Sequence, residues 1–577
     1  MANHLTVSVG AVLLAIGAIF YQGLLDTPSL GAILKVVDSA RNITYLGSLS
    51  PAGIEHFQNI FYAEEPTGQR WFAAPVPTRL AEGSVIDTTR AGAWCPQGTG
   101  DILPFTSRVT NISKNCLSLR IARPAGTQKD VKIPVAVWIY GGGHALGSAS
   151  DILYEPDGLV KLAVSDRLLV IYVGINYCLG LFGFATSEAL IKMRDTNAGL
   201  QDQRLALEWV RDNIKSFGGD PNRVTVIRQS VGASDIGLQL TAFGGNQDVP
   251  FQQAVMMSGG PELNFNSEPD LVANSTAAIA QKVGCGRVPF EQLTNFLVAA
   301  SRAARPLFGE GYFYPTIDAS WVTNDGAWYA LPTTVTDDEV LGSFGLWLHK
   351  LLEPMKETLL QLYPLEDFGH MIKTEHKGRI SPQYYRAAQL NHDIWLTCPV
   401  LDFTWQYVKA GGVEASRVRL YEFNETRYVP AFDSMGVSMW GVAHLSDIPY
   451  LFYNDHLGAS ADNSDTQLVL ARAFSWTIIQ FVHGTSEGVG DRLQSWPPAF
   501  SNDFSKSSTG DMPSHISLQL FGGPHGSVST RCSEGVEADM EADVEAMTDA
   551  EKALYWEKLF SYCAFINGQQ FREEAGV

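Results

Sequence analysis

The chain has 577 residues, of which 41 are Lys or Arg and 61 are Asp or Glu, so its net charge is −20. An acidic surface repels phosphate backbones, and we therefore expect no nucleic-acid partner. The hydrophobic fraction of 45% is ordinary for a globular protein and excludes a disordered chain.

An almost wholly apolar run covers residues 5–25 and is barely long enough to span a bilayer. Residues 1–25 therefore fit either a cleaved signal peptide or an uncleaved membrane anchor. Lys35 and Arg41 follow the run and, by the positive-inside rule, argue weakly against export. Sequons for N-glycosylation argue for it, and together with the apolar start they predict a secreted protein, or one associated with a membrane of the secretory pathway through residues 5–25. The four sequons begin at Asn42, Asn111, Asn274 and Asn424.

The rest of the chain shows no internal repeat and no long linker, which predicts one domain over residues 30–577. Residues 116–121 alternate like a half-buried strand, whereas residues 135–140 and 168–173 are continuous apolar runs typical of parallel strands covered on both faces. Residues 202–217 have helical spacing and stop at a Gly-Gly-Asp-Pro turn. This order predicts an α/β fold with a mostly parallel sheet and helices on both faces.

The last part of the chain carries weaker patterns. Residues 516–521 alternate cleanly and suit an edge strand, and residues 534–545 are acidic, as in a solvated loop or a fraying helix. Thr548 with Glu551 forms a capping box for a terminal helix that runs to Phe565.

A β-branched apolar run over residues 224–229 stops abruptly at Ser230, and a small-residue helix start follows at once. A sharp strand-to-helix turn is how an α/β-hydrolase presents a nucleophilic serine, usually in the sequence G-x-S-x-G. Here the motif reads R-Q-S-V-G, so the second glycine is present as Gly232 and Arg228 replaces the first.

A nucleophilic serine needs donors for an oxyanion, a base and an acid that orients the base. Three glycines, residues 141–143, follow the apolar run that ends at Tyr140, and we expect their N–H groups, together with that of Val231, to be the donors. A lone Gly-Gly-Gly is more often a flexible turn, but its place after a buried strand and before the serine favours the functional interpretation.

His444 is the candidate base because it lies in a loop-like context late in the chain, as the hydrolase order of nucleophile, acid and histidine requires. The acid must then lie between Ser230 and His444, and the acidic run over residues 336–339 is the leading candidate. By composition alone, three consecutive acids are more often a solvated turn. The seven cysteines show no zinc spacing, so no metal site is predicted.

The chain resembles the type-B carboxylesterase/lipase family, which includes the cholinesterases, and particularly its fungal-type members. The resemblance covers roughly residues 40–565. It depends on stretches that occur in the family's order: residues 61–66 (F-Y-A-E-E-P), 116–119 (C-L-S-L), 138–143 (W-I-Y-G-G-G), 176–177 (N-Y), 202–207 (D-Q-R-L-A-L), 217–221 (F-G-G-D-P) and the neighbourhood of His444.

The resemblance implies the α/β-hydrolase fold, a Ser230–Glu339–His444 triad and hydrolysis of carboxylic or lipid esters through an acyl-enzyme, without a cofactor. It also implies that the oxyanion donors are the N–H groups of Gly142, Gly143 and Val231. It places the family's first disulfide at Cys95 and Cys116. The loop between them lacks the tryptophan that faces choline in cholinesterases, which argues against a choline ester. In lipase members the same loop is a lid, and residues 102–105 (I-L-P-F) could form its apolar face.

Several departures from the family pattern cluster on this machinery. Arg228 stands two residues before the serine, where a side chain beyond Cβ either crowds the elbow or extends outward past small neighbours. Two functions therefore stay open, a secreted ester hydrolase and a catalytically weak or inactive binding protein of the same fold. The other departures are Tyr140 for histidine, His144 for phenylalanine, Cys178 for arginine, Gln229 for an acid and Val231 for a small residue.

Overall fold

A computed structural model gives the three-dimensional structure of the chain. It describes residues 34–98, 107, 109, 111–260, 272–273, 276–277, 334–345, 348, 351–372, 378–453, 465–484, 496–500, 512–513, 515–523, 527–533 and 558–575.

A nine-stranded mixed sheet forms the centre of the molecule, with the order β1-β2-β3-β5-β7-β6-β8-β9 and with β4 paired to β2. Strands β7, β6, β8 and β9 run parallel to one another, and the pairs from β1 to β7 along that order are antiparallel. The strands are β1 Leu34–Asp38, β2 Ile43–Leu49, β3 Ile54–Phe61, β4 Val85–Asp87, β5 Ser118–Pro124, β6 Ile133–Ile139, β7 Ile171–Ile175, β8 Gly219–Gln229 and β9 Gln253–Met257.

The two continuous apolar runs lie where the sequence predicts, in β6 and β7, which are parallel and buried at every residue. The prediction of a half-buried strand at residues 116–121 is wrong in one respect, because all seven residues of β5 are buried. Strand β5 lies between β3 and β7 inside the sheet, so both of its faces are covered.

Helices surround this sheet, and the predicted helix before the elbow corresponds to α4 with a short 3₁₀ turn, Ile214–Phe217, at its end. Gly218 has φ 88°, so the glycine stop forms as predicted. The helices are α1 Asp157–Ser165, α2 Gly180–Phe184, α3 Glu188–Met193, α4 Ala198–Asn213, α5 Val231–Thr241, α6 Asp337–Gly345, α7 Glu353–Leu362, α8 Pro382–His392, α9 Cys398–Lys409, α10 Val429–Met435, α11 Ile448–Leu451, α12 Asp465–His483, α13 Leu559–Ile566 and α14 Gln569–Ala575.

A second, three-stranded sheet consists of β10 Leu420–Asn424, β11 His515–Gly522 and β12 Ser527–Ser533. Strand β11 is its middle strand, parallel to β10 and antiparallel to β12, so the prediction of an edge strand at residues 516–521 is wrong. The alternating pattern correctly indicates a strand, but it carries no information about pairing on the strand's two sides.

Two disulfides join described residues. The predicted bridge between Cys95 and Cys116 is present, and a second bridge between Cys398 and Cys563 ties the start of α9 to α13 across 165 positions of sequence. Cys178 is a buried free thiol.

Three predicted glycosylation sites, Asn42, Asn111 and Asn424, are exposed, which is compatible with modification. Asn274 lies outside the described residues, as do the apolar run 5–25, the segment 102–105, the acidic stretch 534–545 and the capping box at Thr548. Among the residues that are described, no helix combines the length and the apolar character that a membrane crossing requires.

Candidate active site

The predicted nucleophile turn is present at Ser230, between the last residue of β8 and the first residue of α5. Ser230 has φ 58° and ψ −136°, a backbone conformation that costs a non-glycine residue on the order of 1–3 kcal/mol. Its N–H donates to the carbonyl of Met257 at 2.9 Å, and its carbonyl accepts from the N–H of Ala233 at 2.7 Å. The neighbouring strand and the helix start therefore hold the serine in a conformation typical of a nucleophile elbow.

His444 lies against this serine, as the sequence predicts for the base. The two residues are 214 positions apart in sequence, yet the distance between His444 Nε2 and Ser230 Oγ is 2.9 Å. Desolvation, with a smaller contribution from the charge of His392, lowers the pKa of His444 to about 4. The ring is therefore neutral at neutral pH and can accept the serine proton, although as a weak base.

Gln229 contacts the same ring nitrogen, with its Nε2 at 3.1 Å from Nε2 of His444. Two donors, the Ser230 hydroxyl and the Gln229 amide, therefore share one acceptor. An amide N–H stabilises the neutral ring and faces an N–H once the ring is protonated, whereas an ionised carboxylate at this position would accept from the protonated ring.

Glu339 lies at the start of α6 with its side chain exposed, and the structure does not join it to His444. Its Oε2 accepts hydrogen bonds from the N–H groups of Val335 at 2.7 Å and Thr336 at 2.9 Å. The Thr336 hydroxyl in turn accepts from the N–H of Glu339, which completes a capping box. These bonds lower the pKa of Glu339 and fix it in a helix cap, not beside the imidazole.

The glycine loop that we expect to supply oxyanion donors packs directly against the elbow. A Cβ on Gly141 would lie 2.6 Å from Cβ of Ser230, so only glycine fits there. Gly142 and Gly143 have φ of 93° and 61°, which turns the chain immediately after β6. Val231 is the first residue of α5, where an N–H has no acceptor within its own helix.

Arg228 neither crowds the turn nor reaches solvent, the two outcomes that the sequence leaves open. Its side chain is fully buried, with Nη1 donating to Oε1 of Gln203 at 2.8 Å and to the carbonyl of Gly232 at 3.3 Å. The carboxylate of Asp235, one turn into α5, lies 3.6 Å from Nη1 and is also fully buried. The arginine is therefore accommodated by a counter-charge on the helix that it precedes.

Sequence reasoning missed this partner, and it missed a second carboxylate near the base. Asp235 is the single acid in the otherwise small and apolar helix α5, and that pattern could have indicated a buried ion pair with Arg228. Asp447, three residues after His444, is buried and accepts from the Tyr421 hydroxyl at 3.1 Å. Burial raises the pKa of Asp447 to about 6.

A mixed sheet with a serine at a strained strand-to-helix turn, a histidine at hydrogen-bond distance and a glycine loop beside both defines the α/β-hydrolase class. Solved structures agree on the fold: Aspergillus niger EstA superposes with a TM-score of 0.69 at 20% identity, covering 95% of this chain and all of that one. A para-nitrobenzyl esterase structure gives a TM-score of 0.63 at 22% identity, covering 91% and 99% of the two chains.

Sequence comparisons identify the family. The profile of the Carboxylesterase family matches residues 44–304. An inactive carboxylesterase-like protein, VdtD of Byssochlamys spectabilis, is 32% identical over 536 residues, which are 84% of this chain and 90% of VdtD. A secreted lipase of Arthroderma benhamiae is 33% identical over 73% of this chain and 77% of its own length. The chain therefore belongs to the carboxylesterase family, as the resemblance predicts, and its class is that of the carboxylic ester hydrolases.

Proposed function

We propose that this protein is a secreted serine hydrolase that cleaves carboxylic esters, lipid esters included, with Ser230 as nucleophile and His444 as general base. The observation that carries the proposal is the 2.9 Å contact between Ser230 Oγ and His444 Nε2 at a strained elbow. A serine in that conformation is held next to its base, and backbone strain of this kind clusters at active sites.

In the proposed mechanism, His444 Nε2 takes the hydroxyl proton of Ser230 while Oγ attacks the ester carbonyl. The N–H groups of Gly142, Gly143 and Val231 stabilise the tetrahedral oxyanion. The protonated histidine then gives its proton to the leaving alcohol, and an acyl group stays on Ser230. Water, deprotonated by the same histidine, releases the carboxylic acid and restores the serine. This chemistry requires no cofactor.

The substrate class follows from the family and from the named relatives. The relative from Arthroderma benhamiae is a secreted lipase and that from Gibberella zeae is a secreted triacylglycerol lipase, which supports a lipid ester. A series of p-nitrophenyl esters with acyl chains of increasing length tests this choice, because a lipase prefers the longer chains and a carboxylesterase the shorter ones.

A second candidate is a hydrolase-fold protein with weak or no catalysis that is retained for binding. Two observations favour it: Glu339 caps α6, and the neutral amide of Gln229 occupies the position beside His444 where the family has an acid. The name of the Byssochlamys relative shows that a protein 32% identical to this one is described as inactive.

Labelling of the folded, purified protein with a fluorophosphonate probe decides between the two candidates. An ester hydrolase labels rapidly, and the label disappears in Ser230→Ala, whose thermal unfolding serves as the folding control. Absence of labelling in folded wild-type protein contradicts the hydrolase proposal and supports the binding protein.

A further inference from the structure

A fully buried carboxylate, Asp235, lies behind the elbow and contacts two separate segments of the candidate site. Its Oδ1 accepts from Nε2 of His144 at 2.9 Å, and its Oδ2 lies 3.6 Å from Nη1 of Arg228. Gln203 of α4 completes the network, because its Nε2 donates to Oδ2 of Asp235 at 2.7 Å and its Oε1 accepts from Arg228.

The two segments are the ones that must be aligned for attack on a carbonyl. His144 directly follows Gly143 of the glycine loop, and Arg228 lies two residues before Ser230 in β8. Both His144 and Arg228 depart from the family's pattern. Since both contact the same carboxylate, the departures are parts of one buried network and not independent defects.

The electrostatics require this partner. Arg228 has no exposed surface, and burial lowers its pKa to about 10, so it still carries its charge at neutral pH. Within the described part of the chain, its Nε and Nη2 atoms have no hydrogen-bond partner. A buried guanidinium with few hydrogen bonds depends on its counter-charge, and Asp235 is the only acid that forms an ion pair with it among the described residues.

We propose that Asp235 is a positioning residue that fixes the glycine loop relative to the nucleophile elbow, through His144 on one side and Arg228 on the other. The inference builds on the proposed function, because its kinetic consequence is the reactivity of Ser230. Oxyanion donors displaced by about 1 Å lose about a hundredfold in rate, so a link between these two segments controls catalysis without touching substrate.

Asp235→Asn tests the link against a matched control, Glu55→Gln. Glu55 also forms a buried pair, with Arg123, 2.7 Å between Oε2 and Nη2, but it lies on strand β3, which three other strands separate from β8. We expect Asp235→Asn to slow fluorophosphonate labelling at least tenfold and Glu55→Gln to slow it less than threefold, both measured well below the unfolding temperature of each variant. Equal effects of the two variants overturn the proposal.

Hydrogen–deuterium exchange provides a readout that does not depend on activity. Asp235→Asn should raise exchange in peptides covering residues 138–148 and 228–240 together, and Glu55→Gln should raise it in neither. If wild-type protein does not label but this exchange pattern appears, the proposed function fails and the positioning role stands. If labelling occurs and exchange rises only in the helix peptide, the link to the glycine loop is refuted.

His144→Phe keeps the Arg228–Asp235 ion pair and removes only the hydrogen bond between His144 and Asp235. It therefore replaces Asp235→Asn as the test variant if that variant does not fold. It restores the family's residue, and we expect slower labelling with an unfolding temperature close to that of the wild type.

Discussion

The serine side and the acid side of the candidate site depart from the family in opposite ways. On the serine side the motif differs in sequence, because it reads R-Q-S-V-G where the usual motif is G-x-S-x-G. Ser230 nevertheless keeps the strained backbone and the contact with His444. On the acid side the expected glutamate, Glu339, is present in the sequence, yet its carboxylate caps its own helix. A motif can therefore change in sequence and keep its geometry, or keep its sequence and lose its geometry, depending on the partners that its side chains contact.

The partners explain both cases. Arg228 is tolerated because Asp235 supplies a counter-charge one turn into the following helix. Glu339 is captured by Thr336 three residues before it, which is the spacing of a capping box and needs no tertiary structure. Cys178 is a third case, a departure without compensation, because it leaves the buried carboxylate of Asp202 beside a neutral thiol and a backbone N–H.

The largest effect should come from His444→Ala, because His444 Nε2 lies 2.9 Å from Ser230 Oγ, at hydrogen-bond distance. We expect the rate of fluorophosphonate labelling to fall by about 10²–10⁴-fold, the usual contribution of general base catalysis. Stopped-flow or gel-based labelling, with thermal unfolding to confirm folding, measures it. A loss of labelling rate of less than tenfold would show that His444 is not the base for Ser230 and would contradict the account of the serine side.

Gln229→Glu should raise activity, which would sharpen the comparison by restoring an acid where the structure has an amide. A carboxylate beside Nε2 stabilises the protonated ring, so the pKa of His444 rises and the labelling rate near pH 7 increases about tenfold. The pH profile of labelling measures both changes. As a control, Gln201→Glu adds the same charge on α4 away from the serine and should leave the pH profile of labelling unchanged. If Gln229→Glu also leaves the pH profile unchanged, the amide does not restrain the base.

Asp202→Asn should alter the pH dependence of stability. Burial raises the pKa of Asp202 to about 7, so between its ordinary pKa near 4 and pH 7 the folded state binds a proton that the unfolded state releases. The stabilisation is present below pH 4 and is lost as the pH rises to 7. We expect the free energy of unfolding of the wild type to fall between pH 4 and 7 by on the order of 2–4 kcal/mol more than that of Asp202→Asn. Urea titrations measure it, and parallel curves for the two proteins would contradict the assignment.

Much of the fold could be predicted from the sequence because buried parallel strands leave continuous apolar runs, as in β6 and β7, and because a glycine stop ends the helix before β8. Ser230 is predicted for a similar local reason, an abrupt end of a strand before a helix, whereas His444 is predicted from its place late in the chain. The Arg228–Asp235 pair could have been suspected, since a lone acid in an apolar helix needs a partner. The central position of β11 and the bridge from Cys398 to Cys563 depend on pairing and packing that no local pattern contains. The cap at Glu339 is different, because its T-x-x-E spacing is local and could have been recognised in the sequence.

The smallest effect is expected for Glu339→Gln, and its labelling rate tests the central claim most directly. That claim is that reactivity resides in Ser230 and His444 without help from Glu339. An exposed cap residue contributes little to the chemistry, so Glu339→Gln should label within threefold of the wild type, while Ser230→Ala does not label at all. A loss of about 10⁴-fold, the effect of removing the carboxylate from a working triad, would show that Glu339 orients His444 during catalysis and would contradict the account.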